Sequence, residues 1–172
     1  TRHYNIACTQ IDIGNAATPM TERMTKGVPQ PDGSTRVEPR MDVDHVGQAM
    51  ARAGTTNAAL LGTRNVMTES FYRKRLVAHG IDLLPPNMAY VEILDRIIYD
   101  ELMIGKVTRE AERRMKTIIT ATAQEGAKAV VLACTELDLV VDVDANVLPV
   151  FDSTRIHCEA AANWILEQEG VH

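Results

Sequence analysis

The chain has 172 residues, of which 45% are hydrophobic and 24% are charged. This composition is typical of a globular domain and excludes a chain that is disordered throughout. Asp and Glu outnumber Lys and Arg by 23 to 18, for a net charge of −5, so the basic excess of a nucleic-acid-binding protein is absent. No apolar run approaches the roughly 20 residues that a membrane-spanning helix needs, and we expect neither nucleic acid nor membrane as a partner.

The N-terminal residues Thr1–Tyr4 have none of the features of a secretory signal peptide. We therefore expect a cytoplasmic protein, and the absence of an initiator Met predicts that the chain is cut from a longer one. The three cysteines, Cys8, Cys134 and Cys158, form no C-x-x-C pair, which argues against a disulfide framework or a zinc ribbon. We expect reduced thiols and no metal site.

Regular structure is predicted to begin near Asp42. The preceding stretch, residues 14–41, holds four of the seven prolines and three of the ten glycines and is predicted to be a loop or poorly ordered. Beyond it, short apolar or β-branched runs predict four strands. These strands span residues 57–62, 81–84, 129–134 and 147–151.

Helices are predicted between these strands. Thr68 is expected to cap one that ends at Gly80, and an apolar stripe predicts another that ends at Gly105. The Arg73–Arg75 run on the first of them is expected to be a solvated helix face. The stripe of the second comprises Val91, Leu94, Ile98 and Leu102.

Two further helices complete the pattern. Thr108 is expected to start a helix that ends at Gly126. Ser153 is expected to cap the last helix, with Cys158 in its core-facing stripe. The core-facing residues predicted for the helix that starts at Thr108 are Ala111, Met115, Ile118 and Thr122. The core-facing stripe of the last helix also includes Ala161, Ala162, Ile165 and Leu166.

Alternating strands and helices predict an α/β fold with a parallel sheet. Ligands of such sheets bind beyond the carboxyl ends of the strands. Two polar segments follow predicted strands, residues 62–65 and residues 134–136. Neither glycine-rich nucleotide-binding pattern occurs in the chain, so neither a dinucleotide nor a nucleoside triphosphate is expected.

Cys134 follows a predicted buried strand and precedes Thr135 and Glu136. N–H groups of the following turn would lower its pKa and favour the thiolate; alternatively, Cys134 is a small buried hydrophobe. A similar run, Ile6-Ala-Cys-Thr9, surrounds Cys8, which suggests two related lobes that each present a thiol. Two facing thiols suit a reaction in which one removes an α-proton and the other returns a proton to the opposite face.

Four ordered motifs between about residues 42 and 166 resemble the aspartate/glutamate racemase family. The first is Gly62-Thr-Arg-Asn-Val-Met67 followed by Phe71-Tyr-Arg-Lys-Arg-Leu76, which resembles the opening of that family's second lobe. The others are Ile97–Lys106, which ends in Gly-Lys, Leu132-Ala-Cys-Thr-Glu136, and Leu148–Ala161.

The resemblance implies a two-lobed α/β enzyme that racemises aspartate or glutamate without a cofactor and in many cases forms homodimers. It implies that Cys134 is the second-lobe acid/base, that Thr135 and Glu136 belong to the site, and that Lys106 pairs with a substrate carboxylate. The Gly-Lys and Cys-Thr-Glu motifs favour acidic amino acids over the related decarboxylases, isomerases and hydantoin-type racemases.

The first-lobe acid/base is expected to be Cys8, with Thr18 as the alternative. The family's glycine-rich first strand and a substrate-binding Arg would precede Thr1, so we expect a complete parallel-sheet second lobe with a remnant of a pseudo-symmetric first lobe. Residues 1–54 are that remnant, residues 55–148 the second lobe, and residues 149–172 a strand and helix returning to the first lobe. A catalytically inactive remnant is the alternative to an enzyme.

Four further side chains have two interpretations each. Thr63 and Arg64 follow a strand and either contact the substrate or belong to an ordinary loop, and Arg64 could bind a carboxylate through both of its fork nitrogens. Lys106 could also be a charge that favours a helix C-terminus. His157 is a candidate site residue that would orient a catalytic group, or it has a structural role.

Overall fold

A computed structural model describes residues 28–29, 33, 35–36 and 43–168. Cys8, Thr18 and most of the predicted loop 14–41 lie outside the described residues. Within that loop, the short strands β1 (Val28–Pro29) and β2 (Thr35–Arg36) pair in antiparallel fashion.

A four-stranded sheet forms the centre of the described chain, and all of its strands are parallel. This sheet confirms the predicted α/β fold class. Its spatial order is β4-β3-β5-β6. The strands are β3 (Asn57–Leu61), β4 (Asp82–Leu83), β5 (Val130–Leu132) and β6 (Val150–Asp152).

Strand β6 begins three residues later than the sequence predicts. Pro149 has no N–H to donate to a neighbouring strand, and its carbonyl accepts from Val130 N at 2.9 Å. Ladder pairing therefore starts with Val150, and Val147 is exposed.

Six helices surround the sheet in the described part of the chain. They are α1 (Asp44–Arg52), α2 (Arg64–Thr68), α3 (Ser70–Ala78), α4 (Met88–Arg96), α5 (Arg109–Gln124) and α6 (Ser153–Gln168). None of these helices combines the length and apolar character that crossing a bilayer requires.

Alternate strand residues pack on opposite faces of the sheet, as the two-residue period of a strand requires. Ala58, Leu60 and Val131 pack with residues of α1 and α3. Leu61 and Leu132 pack with residues of α4 and α5 on the other face. The sheet is therefore covered on both faces, which accounts for the uniformly apolar strand sequences.

Thr68 does not cap a helix, contrary to the sequence prediction. It is the last residue of α2, and its Oγ1 donates to Arg64 O at 2.9 Å. The extended backbone of Glu69 (φ −78°, ψ 158°) separates α2 from α3. The single predicted helix is therefore two helices.

The solvated face predicted for Arg73–Arg75 is correct only at Lys74. Arg73 is half-buried and donates to Leu84 O at 2.8 Å, which ties α3 to the end of β4. Arg75 Nη1 contacts Asp44 Oδ2 at 2.9 Å and ties α3 to α1.

The cap of α6 lies one residue before the predicted Ser153. Asp152 Oδ1 accepts from Thr154 N at 2.8 Å, whereas Ser153 is the first helical residue. The prediction that Cys158 lies in the core is also wrong, because Cys158 is exposed. Ile156 packs against the α1–α3 cluster instead.

The helix that the sequence predicts to end at Gly105 does end there, but its geometry changes on the way. After α4 the chain forms a π-helical turn over Ile97–Glu101 and a 3₁₀ turn over Leu102–Ile104. Gly105 then takes the left-handed conformation (φ 76°) that favours glycine. Helix α5 follows with the predicted cap, because Thr108 Oγ1 accepts from Ala111 N at 3.1 Å.

Gly47 in α1 is required by the ring of His79. A Cβ at Gly47 would lie 2.6 Å from His79 Cγ and 2.9 Å from His79 Cβ, and the contact of His79 Nε2 with Asp44 Oδ1 at 3.2 Å holds the ring there. We expect Gly47→Ala to lower the free energy of unfolding by about 1–3 kcal/mol, as measured by urea denaturation.

The matched control for this substitution is a His79→Gly background, which removes the ring and the Cβ that a residue at position 47 would meet. There the clash is absent, and Gly47→Ala is expected to raise the free energy of unfolding by about 0.5–1 kcal/mol, because Ala is the better helix former. An effect of the same sign in both backgrounds would contradict this account of Gly47.

Candidate active site

The ends of β3 and β5 bring together the two predicted polar segments, residues 62–65 and residues 134–136. Leu61 pairs with Leu132, and Ala133 N donates to Leu61 O at 2.8 Å. A Cβ at Gly62 would lie 3.1 Å from Ala133 O, so glycine permits the close approach of the segments that follow β3 and β5. Thr63 and Cys134 therefore leave the carboxyl edge of the sheet from adjacent strands.

Cys134 stands between β5 and a 3₁₀ turn over Thr135–Leu139. It is half-buried and packs against the α4–α5 cluster. Its Sγ donates to Glu136 Oε2 at 2.9 Å, and Thr135 Oγ1 donates to the same oxygen at 2.8 Å. Three consecutive residues thus form one hydrogen-bonded unit at the edge where a ligand is expected.

The expectation that turn N–H groups lower the pKa of Cys134 is wrong in its net direction. Burial raises the pKa of Cys134 to about 12, and the carboxylate of Glu136 adds to this effect. The backbone N–H groups of Glu136 and Leu137 do act in the expected direction, but they are outweighed. Cys134 is therefore a neutral thiol at physiological pH and carries a proton that it can donate.

Glu136 is the charged member of the unit. Partial burial alone would raise its pKa, but the hydrogen bonds from Cys134 and Thr135 outweigh burial and hold the pKa of Glu136 below its ordinary value. A neutral thiol thus lies against an ionised carboxylate. This arrangement suits proton transfer better than attack by a resting thiolate.

Lys106 lies on a turn beside this unit. The 3₁₀ turn Leu102–Ile104 contacts the turn Thr135–Leu139, and Gly105 and Lys106 follow it. Lys106 N donates to Glu101 O at 2.9 Å, and Thr108 Oγ1 donates to Glu101 Oε2 at 2.8 Å. Glu101 therefore fixes both sides of the turn that carries Lys106, whose side chain is exposed.

Arg64 has a protein partner that sequence analysis missed. Its backbone N donates to Asp95 Oδ1 at 2.8 Å, and its Nε contacts Asp95 Oδ2 at 3.3 Å. Asp95 is four residues after Val91 and three before Ile98, so it falls among the apolar residues of the α4 stripe. A charged residue at such a position was the signal in the sequence that Asp95 has a partner within the protein. Thr63 is the residue before α2 and is half-buried.

His157 lies in the second turn of α6 and is 7% exposed. Its ring packs edge-on against that of His45 in α1, with the centroids 6.1 Å apart. This contact lies between α6 and α1, and a role for His157 at the substrate stays a prediction. Within residues 43–168 no group of three or more His, Cys, Asp or Glu side chains is arranged to hold a metal ion.

The sequence model of the Asp/Glu/hydantoin racemase family matches residues 43–161, which is more than half of the chain. The chain belongs to this family. The match covers all four motifs that carry the resemblance, including the Cys134–Glu136 unit, and it confirms the family inferred from the sequence.

Solved structures of racemase relatives have the same fold. An Asp/Glu racemase candidate from Yersinia pestis is 34% identical with a TM-score of 0.69, over 74% of this chain and 56% of that chain. An aspartate racemase homologue from Pyrococcus horikoshii is also 34% identical, with a TM-score of 0.64, over 71% of this chain and 54% of that chain. This chain thus spans little more than half the length of either relative.

A more distant relative agrees in fold alone. The aspartate racemase of Picrophilus torridus is 20% identical with a TM-score of 0.56, over 75% of this chain and 55% of that chain.

Proposed function

We propose that this protein racemises an acidic α-amino acid, aspartate or glutamate, by exchanging the proton on the α-carbon. The observation that carries the proposal is the neutral thiol of Cys134, held 2.9 Å from the Glu136 carboxylate at the carboxyl edge of the sheet. Membership of the Asp/Glu/hydantoin racemase family supports the class of reaction. The names of the relatives from Yersinia pestis and Pyrococcus horikoshii support the acidic substrate.

The chemistry needs one base and one acid on opposite faces of the α-carbon. A first-lobe residue takes the α-proton, and the electron pair of the C–H bond stays on the substrate as a carbanion. Cys134 then donates its thiol proton to the other face, which forms the new C–H bond and leaves a thiolate. In the reverse direction the thiolate of Cys134 is the base, and exchange with solvent restores either protonation state.

The remaining site residues receive roles from the resemblance. Cys8 is proposed as the first-lobe acid/base, with Thr18 as the alternative. Lys106 is proposed to bind a substrate carboxylate, which agrees with its place on a fixed turn beside Thr135–Leu139. Arg64 already pairs with Asp95, so its proposed contact with substrate requires it to share or exchange that partner.

No cofactor is proposed, because a thiol pair that exchanges one proton needs no electron sink beyond the substrate's own carboxylate. The protein is also proposed to act as a homodimer. Three exposed apolar side chains on the turns beside the site, Met103, Ile104 and Leu139, support such an interface.

A catalytically inactive remnant of a racemase is the second candidate. A crevice between two lobes would lose half of its wall in such a remnant.

Chiral chromatography of aspartate and glutamate after incubation with the protein separates these two candidates. The protein is first dialysed against EDTA and assayed without pyridoxal phosphate. Conversion of either pure enantiomer toward the racemic mixture is expected. If neither amino acid is converted, the proposed racemisation of aspartate or glutamate is wrong; if conversion requires added pyridoxal phosphate, the thiol mechanism is wrong.

A further inference from the structure

The Glu136 carboxylate can accept more hydrogen bonds than the two that it receives from the side chains of Cys134 and Thr135. Both of its side-chain hydrogen bonds, from Cys134 and Thr135, end on Oε2. An ionised carboxylate accepts at two oxygens, with about four lone-pair positions in all. Glu136 is also only half-buried, so a ligand at the edge of the sheet can reach it.

We infer that Glu136 binds the α-ammonium group of the substrate and thereby restricts the site to free α-amino acids. This inference rests on the proposed function, because it places the reacting carbon at Cys134. It assigns a binding residue to the α-ammonium group, which distinguishes an amino acid from other compounds of the same carbon skeleton.

Geometry supplies the first argument. To exchange a proton, Cys134 Sγ must come within about 3–3.5 Å of the α-carbon. The amino nitrogen lies about 1.5 Å from that carbon. Because Glu136 Oε2 is 2.9 Å from the same sulfur, a carbon that approaches the sulfur from the side of Glu136 can place its ammonium within hydrogen-bonding distance of the carboxylate.

Charge supplies the second argument. The ionised Glu136 lies beside a neutral thiol, so this part of the site carries a net negative charge that attracts an ammonium and repels a carboxylate. Lys106 offers the opposite charge from the neighbouring turn. An acidic amino acid is therefore oriented with its ammonium toward Glu136 and its carboxylates away from it.

The consequence is discrimination between substrate classes within the family. A dicarboxylate without an amino group, an N-acylated amino acid and a hydantoin ring all lack an ammonium. Each would place the Glu136 charge against a neutral or acidic group. A site of this kind favours the free amino acid over all three.

Isothermal titration calorimetry of substrate and analogue tests this inference independently of turnover. Aspartate is compared with succinate, and glutamate with glutarate, since each pair differs by the ammonium. Wild-type protein is expected to bind the amino acid more tightly than the dicarboxylate. Glu136→Gln, which retains the shape, should weaken binding of the amino acid by about 10–100-fold and leave that of the dicarboxylate unchanged or tighter.

Asp138→Asn is the matched control, because Asp138 is an exposed acid on the same turn, and it should alter neither affinity. Equal weakening of both ligands by Glu136→Gln, or no change in either, would overturn the ammonium site. Wild-type protein that racemises aspartate but binds succinate equally well would also overturn it and leave the racemase proposal intact. Wild-type protein that binds the amino acid more tightly than the dicarboxylate but does not racemise it would overturn only the proposed activity.

Discussion

Cys134→Ser is expected to lower the rate of racemisation by about 10²–10⁴-fold, the usual contribution of a general acid or base. The substitution nearly preserves shape, but a hydroxyl is a weaker acid than a thiol in the same surroundings, so serine donates its proton to the carbanion less readily and does not supply the base of the reverse direction. Initial rates from both enantiomers, followed by chiral chromatography, measure the loss. Far-ultraviolet circular dichroism checks that the fold persists.

Cys158→Ser is the control, because Cys158 is exposed on α6 and has no proposed role in the chemistry. Its rate should equal that of the unmodified protein. A Cys134→Ser protein that keeps the wild-type rate would remove Cys134 from the mechanism.

Iodoacetamide is expected to modify Cys134 about 100-fold more slowly than it modifies a free thiol at neutral pH. With a pKa of about 12, the thiol ionises roughly 3,000-fold less than a free thiol of pKa about 8.5. The stronger nucleophilicity of such a thiolate recovers roughly 30-fold of this difference. Peptide mass mapping over time should show that the exposed Cys158 is labelled first.

The dependence on pH checks the cause of this slow labelling. Because the pKa of Cys134 is raised, its labelling rate should still increase about tenfold per pH unit between pH 8 and 10, where a free thiol levels off. Glu136→Gln removes the carboxylate that contributes to the shift and should speed labelling. Faster labelling of Cys134 than of Cys158 at neutral pH would show that the thiol is activated in the resting protein.

The parts of the fold that sequence analysis predicted are those with an unambiguous local signal. The β-branched run of β5 and the Thr108 cap of α5 have one interpretation each, and both predictions are confirmed. Helix α6 is different, because its sequence holds more than one apolar stripe. Ile156 packs against the α1–α3 cluster, and only tertiary contacts select it over Cys158.

The candidate site was predictable in position but not in its electrostatics. The carboxyl ends of β3 and β5 could be located from strand patterns alone, which placed Cys134 and Thr63 together. The direction of the Cys134 pKa shift depends on how deeply the thiol is buried and on where the Glu136 side chain turns. Neither is encoded in the spacing of residues. The spacing does place Asp95 in the apolar stripe of α4, but it does not identify Arg64 as the partner of Asp95.

The central claim is that Cys134 exchanges the α-proton on one face of the substrate, and deuterium exchange with the Cys134→Ser protein tests it most directly. Proton NMR in D₂O follows loss of the α-hydrogen from each pure enantiomer of aspartate and of glutamate. Exchange should persist for the enantiomer whose α-hydrogen faces the first-lobe residue, without inversion, and should be lost for the other. Equal exchange of both enantiomers at the wild-type rate would contradict the account.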